Sequence, residues 1–467
     1  MLLLGLLGMT ARPATDPDLW WHLRTGQWII EKGQIPHSDP FSFTRAGEPW
    51  VSHEWLSEVA FYEIWKHAGF AGLIVFSAVI TSVGFLPLYW RCPSPPHWAA
   101  GATALGALAS APVWGVRPQM FTFSSASLLL WLLDRGQNRP WLLISIPPLF
   151  LLWLNLHAGF ALGAALMLAY GFGVLVEATI GDVSWREAWP VLARLLLLVA
   201  ACLALVPLNP SGVQLYRYPF DTLRSTGMRT FIVEWFSPNF HEIRFIPFLV
   251  VFLVLLGVLA RKCAHPRART LVPLALTTLL ALDAVRHIPI FVLLAVPVIA
   301  AGMAASSSSA RRRALSSATA VRPLFNGLAV LLMAGFALVR WGVLARSQTA
   351  TEAQAFPQKA VEALRSSGGG GEVFAYYDWG GYTIYKLYPE YRVFVDGRAD
   401  LYGDGLLQQF ETAIHLRTGW YDVLERWHVR VVLVPPFCAL AQALALDPNW
   451  RLEYHDSHAV LLLRARR

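Results

Sequence analysis

Charge is what this 467-residue chain has least of: 15% Asp, Glu, Lys and Arg, against 55% hydrophobic residues. Ordinary soluble domains carry roughly 25% charged residues, so a soluble fold is excluded and an integral membrane protein is expected. Cysteine is scarce as well. Cys92, Cys202, Cys263 and Cys438 lie far apart, which excludes a disulfide framework and a zinc site with local ligand spacing. The chain has no phosphate-binding glycine loop, nucleophile elbow or zinc signature, and no internal repeat. The first apolar run is followed by no small-residue cleavage site, so a removed signal peptide is not expected.

Long apolar runs are what the chain has instead. A hydrocarbon core takes about 20 apolar residues per helix. Spans are expected at Phe70–Trp90, Trp98–Trp114, Met120–Leu133, Trp141–Leu154, Phe160–Val176, Val191–Leu208, Phe245–Ala260, Leu271–Leu282, Ile288–Met303 and Leu324–Trp341. Met1–Met9 is a further apolar segment, about half a membrane helix long, so the expected count is 10 with it excluded and 11 with it included. Several spans are short, as in helices that enclose a cavity.

The distribution of basic residues sets the orientation. Loops 91–97, 134–140, 181–190, 261–269 and 305–323 hold twelve Lys and Arg, Arg311, Arg312 and Arg313 among them. The opposite loops hold eleven over roughly twice the length. The first set is expected to be cytoplasmic, with Cys92 and Cys263 beside it. Everything chemically unusual then falls on the other face: the loop 10–66, Arg117-Pro118, Asn155-Leu156-His157, the loop 209–244 with Glu234-Trp235, and Arg286-His287. Independent hydrophobic segments need not sort their polar motifs this way, so an active site is expected on the extracytoplasmic side.

The first outer loop is itself structured. Pro17 marks a helix start with Thr15 or Asp16 as cap, and Gly33 ends that helix. Leu19, Trp20, Leu23, Gln27 and Ile30 form a stripe suited to lying along the membrane interface. A second helix is expected from about Ser52 to Lys66, after turns at Ser38-Asp39-Pro40 and Gly47-Glu48-Pro49. Beyond the last span the composition changes. Gly368–Gly371 precedes alternating strand and helix signals, with strands at Glu372–Tyr376, Arg392–Val395 and Val429–Val434 and a closing pair at Trp450–Tyr454 and Ala459–Leu463. Expected domains are a transmembrane domain 1–346, a linker 347–371 and a small extracytoplasmic α/β domain 372–467.

Asp16-Pro17-Asp18-Leu19-Trp20-Trp21-His22 is the segment richest in chemistry. Two carboxylates beside a bilayer are costly to keep for packing alone. Asp16 and Asp18 are the candidate catalytic pair, one serving as general base for an acceptor. The pair can also hold a divalent cation, Mg²⁺ or Mn²⁺. Capping and a helix-dipole contact account for one acid, and better for Asp16 than for Asp18. His22 is one turn beyond Asp18 on the same helix face. His53 and Glu54 open the second loop helix and are candidate substrate contacts. Arg117, which has no evident anionic partner in the sequence, and Arg286-His287 stand at outer helix ends and suit a lipid phosphate. Snorkelling to headgroups is the simpler account of both arginines. Asn155 and His157, before Gly159, make a polar break of a kind tolerated where it lines a cavity or where an interhelical hydrogen bond satisfies it. Glu234 lies among Tyr216, Arg217, Tyr218 and Arg229, a loop that can cover a cavity and stack on sugar rings. In the distal domain, Asp378-Trp379-Gly380-Gly381-Tyr382 and Asp396-Gly397-Arg398-Ala399-Asp400-Leu401-Tyr402 follow strands; the simpler account is a pair of structured turns with an internal Asp–Arg pair.

This layout resembles the GT-C class of membrane glycosyltransferases, which includes protein mannosyltransferases, aminoarabinose transferases and bacterial oligosaccharyltransferases. The acidic first-loop motif of that class corresponds to Asp16-Pro17-Asp18. The run through His22 with Gly26, Ile35-Pro36 and Asp39-Pro40-Phe41-Ser42 looks like an uncharacterised bacterial subgroup, as do Asn155-Leu156-His157-Ala158-Gly159 and Asp396-Gly397-Arg398. The resemblance implies a bacterial inner-membrane enzyme with its active face and C-terminal domain extracytoplasmic. It implies inverting transfer from a polyprenyl-phosphate sugar donor to a glycan, lipid or protein acceptor. Membrane lipids are expected partners and nucleic acid is not. The class normally begins with a full membrane helix, and its oligosaccharyltransferases add a second acidic motif, for which Glu234 is the nearest candidate here. Two other readings are a lipid or polysaccharide transporter, against which the lack of repeats and of mid-helix charges counts, and a non-catalytic envelope assembly protein.

Overall fold

The computed structural model describes residues 1–261, 265–306 and 323–465. Lys262, Cys263 and the basic run Arg311 to Arg322 lie outside the described residues. The chain is a polytopic α-helical membrane protein with a five-stranded C-terminal sheet. Among the described residues six helices are long and apolar enough to cross a bilayer: Trp55–Arg91, Phe160–Thr179, Trp185–Leu208, Ile243–Ala260, Val285–Ser306 and Phe325–Ala355. The other expected spans fall on Pro96–Ser110, Gln119–Gly136, Ile146–Leu156 and Ala268–Asp283, of 15, 18, 11 and 16 residues. Leu2–Thr10 is also helical. Contacts divide the chain into two compact units that do not follow chain order. One comprises 1–12, 74–209 and 233–344; the other comprises 13–73, 210–232 and 345–467.

The first unit is the helical bundle. Ile288–Ser306 is buried on nearly every face, whereas Leu196, Leu197, Phe325 and Leu331 point outward, as lipid-facing residues do. The Thr10 hydroxyl meets Leu6 O, Ala78 O and Ser82 Oγ, pinning the first helix to the bundle. Glu177 on Phe160–Thr179 accepts hydrogen bonds from the backbone and guanidinium of Arg269, and Arg269 also donates to Gln137. That pair is a buried clasp between helices.

The second unit packs the first outer loop onto the sheet. Strands β1 (Gly371–Ala375), β2 (Tyr391–Val393) and β3 (Val431–Val434) are parallel, and β4 (Trp450–His455) and β5 (Val460–Arg464) are antiparallel, in the order β2-β1-β3-β5-β4. The expected strands and helices of this region are all present. Ser42 bridges Val393, and Phe43 N donates to Val393 O, so the first loop covers the β2 edge and protects it from pairing elsewhere.

In that loop, Leu19–Lys32 is the first helix, ended by Gly33 in the left-handed conformation. Its cap position is Asp18, with no side-chain cap bond; Asp16 Oδ1 instead accepts Asp18 N–H at 3.0 Å. The second helix begins at Trp55 and is interrupted at Gly69 (φ 59°, ψ −159°), after which the spanning part follows. The expected interfacial stripe is a correction. Leu19, Trp20 and Leu23 are fully buried in protein, and Trp20 sits among Phe70, Phe356, Tyr382 and Tyr385. Its apolar face serves the core of this unit. The expected linker is helical too, in Pro323–Ala355 and Gln358–Ser367.

Candidate functional site

Proline at 17 and the Asx turn made by Asp16 bring Asp18 to the head of the first loop helix, where Trp21 Nε1–H donates to Asp18 Oδ1 at 3.1 Å. The turn Asp396-Gly397-Arg398 lies directly against it. A Cβ added at Gly397 would stand 1.6 Å from Asp18 Oδ1, and one at Gly381 would stand 2.8 Å from Pro17 O. Only glycine lets these turns approach the acid.

The turn is fixed from behind. Arg398, 1% exposed, donates to Asp396 through Nε and Nη2 and to Asp39 through Nη1, at 2.7–2.8 Å. Tyr402 OH also donates to Asp396, and Asp39 accepts from the Phe41 and Ser42 amides. The internal Asp–Arg pair expected of this motif is therefore present, and Asp39 joins it across 359 positions of sequence.

Further carboxyl groups gather nearby. Asp378 is held above the usual carboxylate range by burial and by the charge of Asp16. The Tyr377 hydroxyl is buried with no hydrogen-bond partner among the described residues. Burial and then Asp18, Asp396, Asp378 and Asp400 push its ionisation far up, so it remains a proton donor.

His22 reaches a second cluster of carboxyl groups. Its Nε2 lies 3.5 Å from Glu54 and its Nδ1 3.5 Å from Glu58, while His53 Nε2 meets Glu54 at 2.7 Å. His53 Nδ1 faces Val51 O at 3.2 Å, so both its ring nitrogens are engaged. Burial disfavours the charged imidazoles, yet Glu58 and Glu54 more than offset it and both histidines titrate above their ordinary range. Burial raises Glu58 as well.

The native cluster thus binds more protons than the unfolded chain, and its stabilisation declines as pH rises. The histidine part is complete below about pH 6.5 and is lost as pH climbs through their raised values. The Glu58 part is complete below about pH 4.3 and is lost higher up by the same sign. Thermal melts of the wild type should fall more steeply between mildly acidic and alkaline pH than those of a His22→Gln/His53→Gln variant; equal slopes would contradict the assignment.

In the helical unit the expected outer residues also meet. Arg117 Nη1 forms an ion pair with Glu234, correcting the expectation that it lacks a protein partner. The two are 117 positions apart, which hides the pair from local reading. Burial opposes ionisation of Glu234, but Arg117 and Arg286 outweigh it and hold it below the usual range. The Arg286 guanidinium stands 4.5 Å over Trp235, and His287 Nδ1 faces Leu280 O at 3.2 Å. His157 belongs to a separate network: Trp153 Nε1–H donates to Thr122 Oγ1, Thr122 Oγ1 meets His157 Nδ1 at 2.7 Å, and Gly159 N–H donates to that same nitrogen. Asn155 accepts from Asn209 and donates to Leu151 O. The polar break between these helices is thus hydrogen-bonded within the protein.

Sequence reasoning missed Glu58 and Tyr377, and took Asp400 only as part of a structured turn. Glu58 alone had a local signal, one turn beyond Glu54 on a helix. As for a cation, one oxygen each of Asp16 and Asp18 is committed to a protein donor. No group of three His, Cys, Asp or Glu side chains among the described residues is arranged to hold a metal.

No protein-family model and no curated protein matches the chain. Solved structures do. The archaeal oligosaccharyltransferase AglB from Archaeoglobus fulgidus, in complex with an inhibitory peptide and a dolichol-phosphate, superposes with TM-score 0.57 at 14% identity, over 93% of this chain and 69% of AglB. ArnT from Cupriavidus metallidurans bound to undecaprenyl phosphate gives TM-score 0.51 at 14% identity, over 99% of this chain and 96% of ArnT; its apo state gives 0.50. The fold of this multi-pass membrane protein is therefore GT-C-like, shared with AglB and ArnT.

Proposed function

We propose that the chain transfers a sugar from a polyprenyl-phosphate-linked donor to an acceptor on the extracytoplasmic face of a bacterial inner membrane. The observation that carries this reading is the placement of Asp18, held by Trp21 and accommodated by the bare glycine at 397. An acid held in place by its own turn and by Trp21 suits general-base chemistry. AglB and ArnT, whose solved structures contain a dolichol-phosphate and undecaprenyl phosphate respectively, make the same donor chemistry a natural expectation for this fold.

Asp18 takes the proton of an acceptor hydroxyl. That oxygen attacks the anomeric carbon, and the bond to the donor phosphate breaks with its electron pair left on the phosphate oxygen. A single displacement inverts the anomeric centre. Asp16 holds Asp18 in place through its turn. Within the helical unit, Arg117, Glu234 and Arg286 together carry one net positive charge, which suits a phosphate group.

NMR of the glycoside formed in proteoliposomes should show the anomeric configuration opposite to that of the donor; retention would exclude the single displacement. Gly397→Ala should displace Asp18, break its bond to Trp21 and reduce transfer, with a change in tryptophan fluorescence. Wild-type transfer by that variant would remove Asp18 from its role.

A further inference from the structure

The second unit contains a cavity of about 690 Å³, lined by Trp50, Arg217, Tyr218, Asp221, Arg224 and Asp400 among others. That size lies within the roughly 300–1,000 Å³ of small-molecule sites. Its outer wall is the segment 212–231, and this wall is built to stay in place. Asp404 accepts from Ser225 Oγ, Thr226 N, Thr226 Oγ1 and Gly227 N at 2.6–3.0 Å. Those bonds hold its carboxyl down at about 2, so Asp404 is a fastening and not a ligand. The Tyr218 ring packs against the His53 ring, centroids 4.2 Å apart and tilted by 39°, which sets one aromatic wall against the buried histidine–glutamate cluster.

We propose that this cavity binds the acceptor of the transfer reaction and that the acceptor is a carbohydrate. The inference rests on the transferase reading above for the word acceptor, but the chemistry of the walls stands by itself. A pyranose has a face of C–H groups and a rim of hydroxyls that both donate and accept. Tyr218 offers a ring to the face. Arg217 and Arg224 offer donors to the rim, and Asp221 and Asp400 offer carboxyl groups. An acyl chain here would strip water from guanidinium and carboxyl groups without replacing their hydrogen bonds. Asp400, at the inner wall, is raised from the ordinary carboxylate value by burial, against the pull of His53.

The test uses the full chain in nanodiscs, with the methyl glycosides of glucose, galactose, mannose and N-acetylglucosamine as probes for saturation-transfer NMR. At least one probe should receive saturation from the wild type. Thr222→Trp, which fills the cavity from a partly exposed helix position, should abolish the signal at unchanged melting temperature. Arg224→Ala, a milder change, should weaken binding by about tenfold or more. No signal above empty nanodiscs, or full signal in both variants, would overturn the proposal. The two readings fail separately: wild type that consumes a lipid-linked donor yet binds no probe contradicts the cavity alone. Probe binding without donor consumption contradicts the transferase reading and leaves a carbohydrate site.

Discussion

Asp18→Asn is expected to slow sugar transfer by about 10²–10⁴-fold, the usual cost of losing a general base, with the fold intact. The amide oxygen can still accept the Trp21 Nε1–H bond that the carboxylate accepts now, so the side chain keeps its place and loses only its basicity. Asp16→Asn should cost much less, because its amide oxygen still closes the turn on Asp18 N–H. Asp16→Ala opens that turn and should approach the Asp18 variant. Initial rates measured with saturating donor, alongside melting temperatures, separate these cases. Should Asp18→Asn transfer at the wild-type rate, the assignment of the base is wrong.

Arg398→Met has the largest expected effect on stability. It leaves Asp39 and Asp396, both fully buried, with no opposing charge, and breaking such a pair costs about 3–5 kcal/mol. For a body of this size that corresponds to a fall in melting temperature on the order of ten degrees. Arg398→Lys should not rescue it, since one ammonium cannot span two carboxylates as the planar guanidinium does. The triple variant Asp39→Asn/Asp396→Asn/Arg398→Met, in which no charge is stranded, should regain part of the loss. Differential scanning calorimetry of the four proteins decides the matter; an unchanged melt for Arg398→Met would show that the triad stabilises nothing.

Local chemistry was legible in the sequence where its cause was local. The left-handed stop at Gly33 ends the first loop helix as its sequence implies, whereas its start lies two residues past Pro17, with Asp18 and not Thr15 or Asp16 at the cap position. The strands and helices after Gly371 follow from alternation and turn residues alone. The apolar runs likewise point to the membrane helices, although among the described residues six are both long and apolar enough to span. What stayed hidden depends on which distant segment arrives. The stripe through Trp20 reads equally well as lipid-facing or as core, and only the arrival of Phe356 and Tyr382 decides for the core. Arg117 looked unpartnered because Glu234 lies in another loop, and the Asp396–Arg398 pair gave no sign that Asp39 completes it. The glycine at 397 is the one long-range fact with a local trace, a bare residue between two charges, yet its reason is visible only beside Asp18.

The central claim is that this protein consumes a lipid-linked sugar by way of a first-loop acid. Its most direct test is mass spectrometry of polyprenyl lipids extracted from bacterial inner membranes and incubated with purified protein in proteoliposomes. The account predicts that wild type converts a sugar-bearing polyprenyl phosphate to free polyprenyl phosphate and that Asp18→Asn leaves it unconverted over the same interval. Unchanged lipids with wild type, or equal conversion by both proteins, would contradict it.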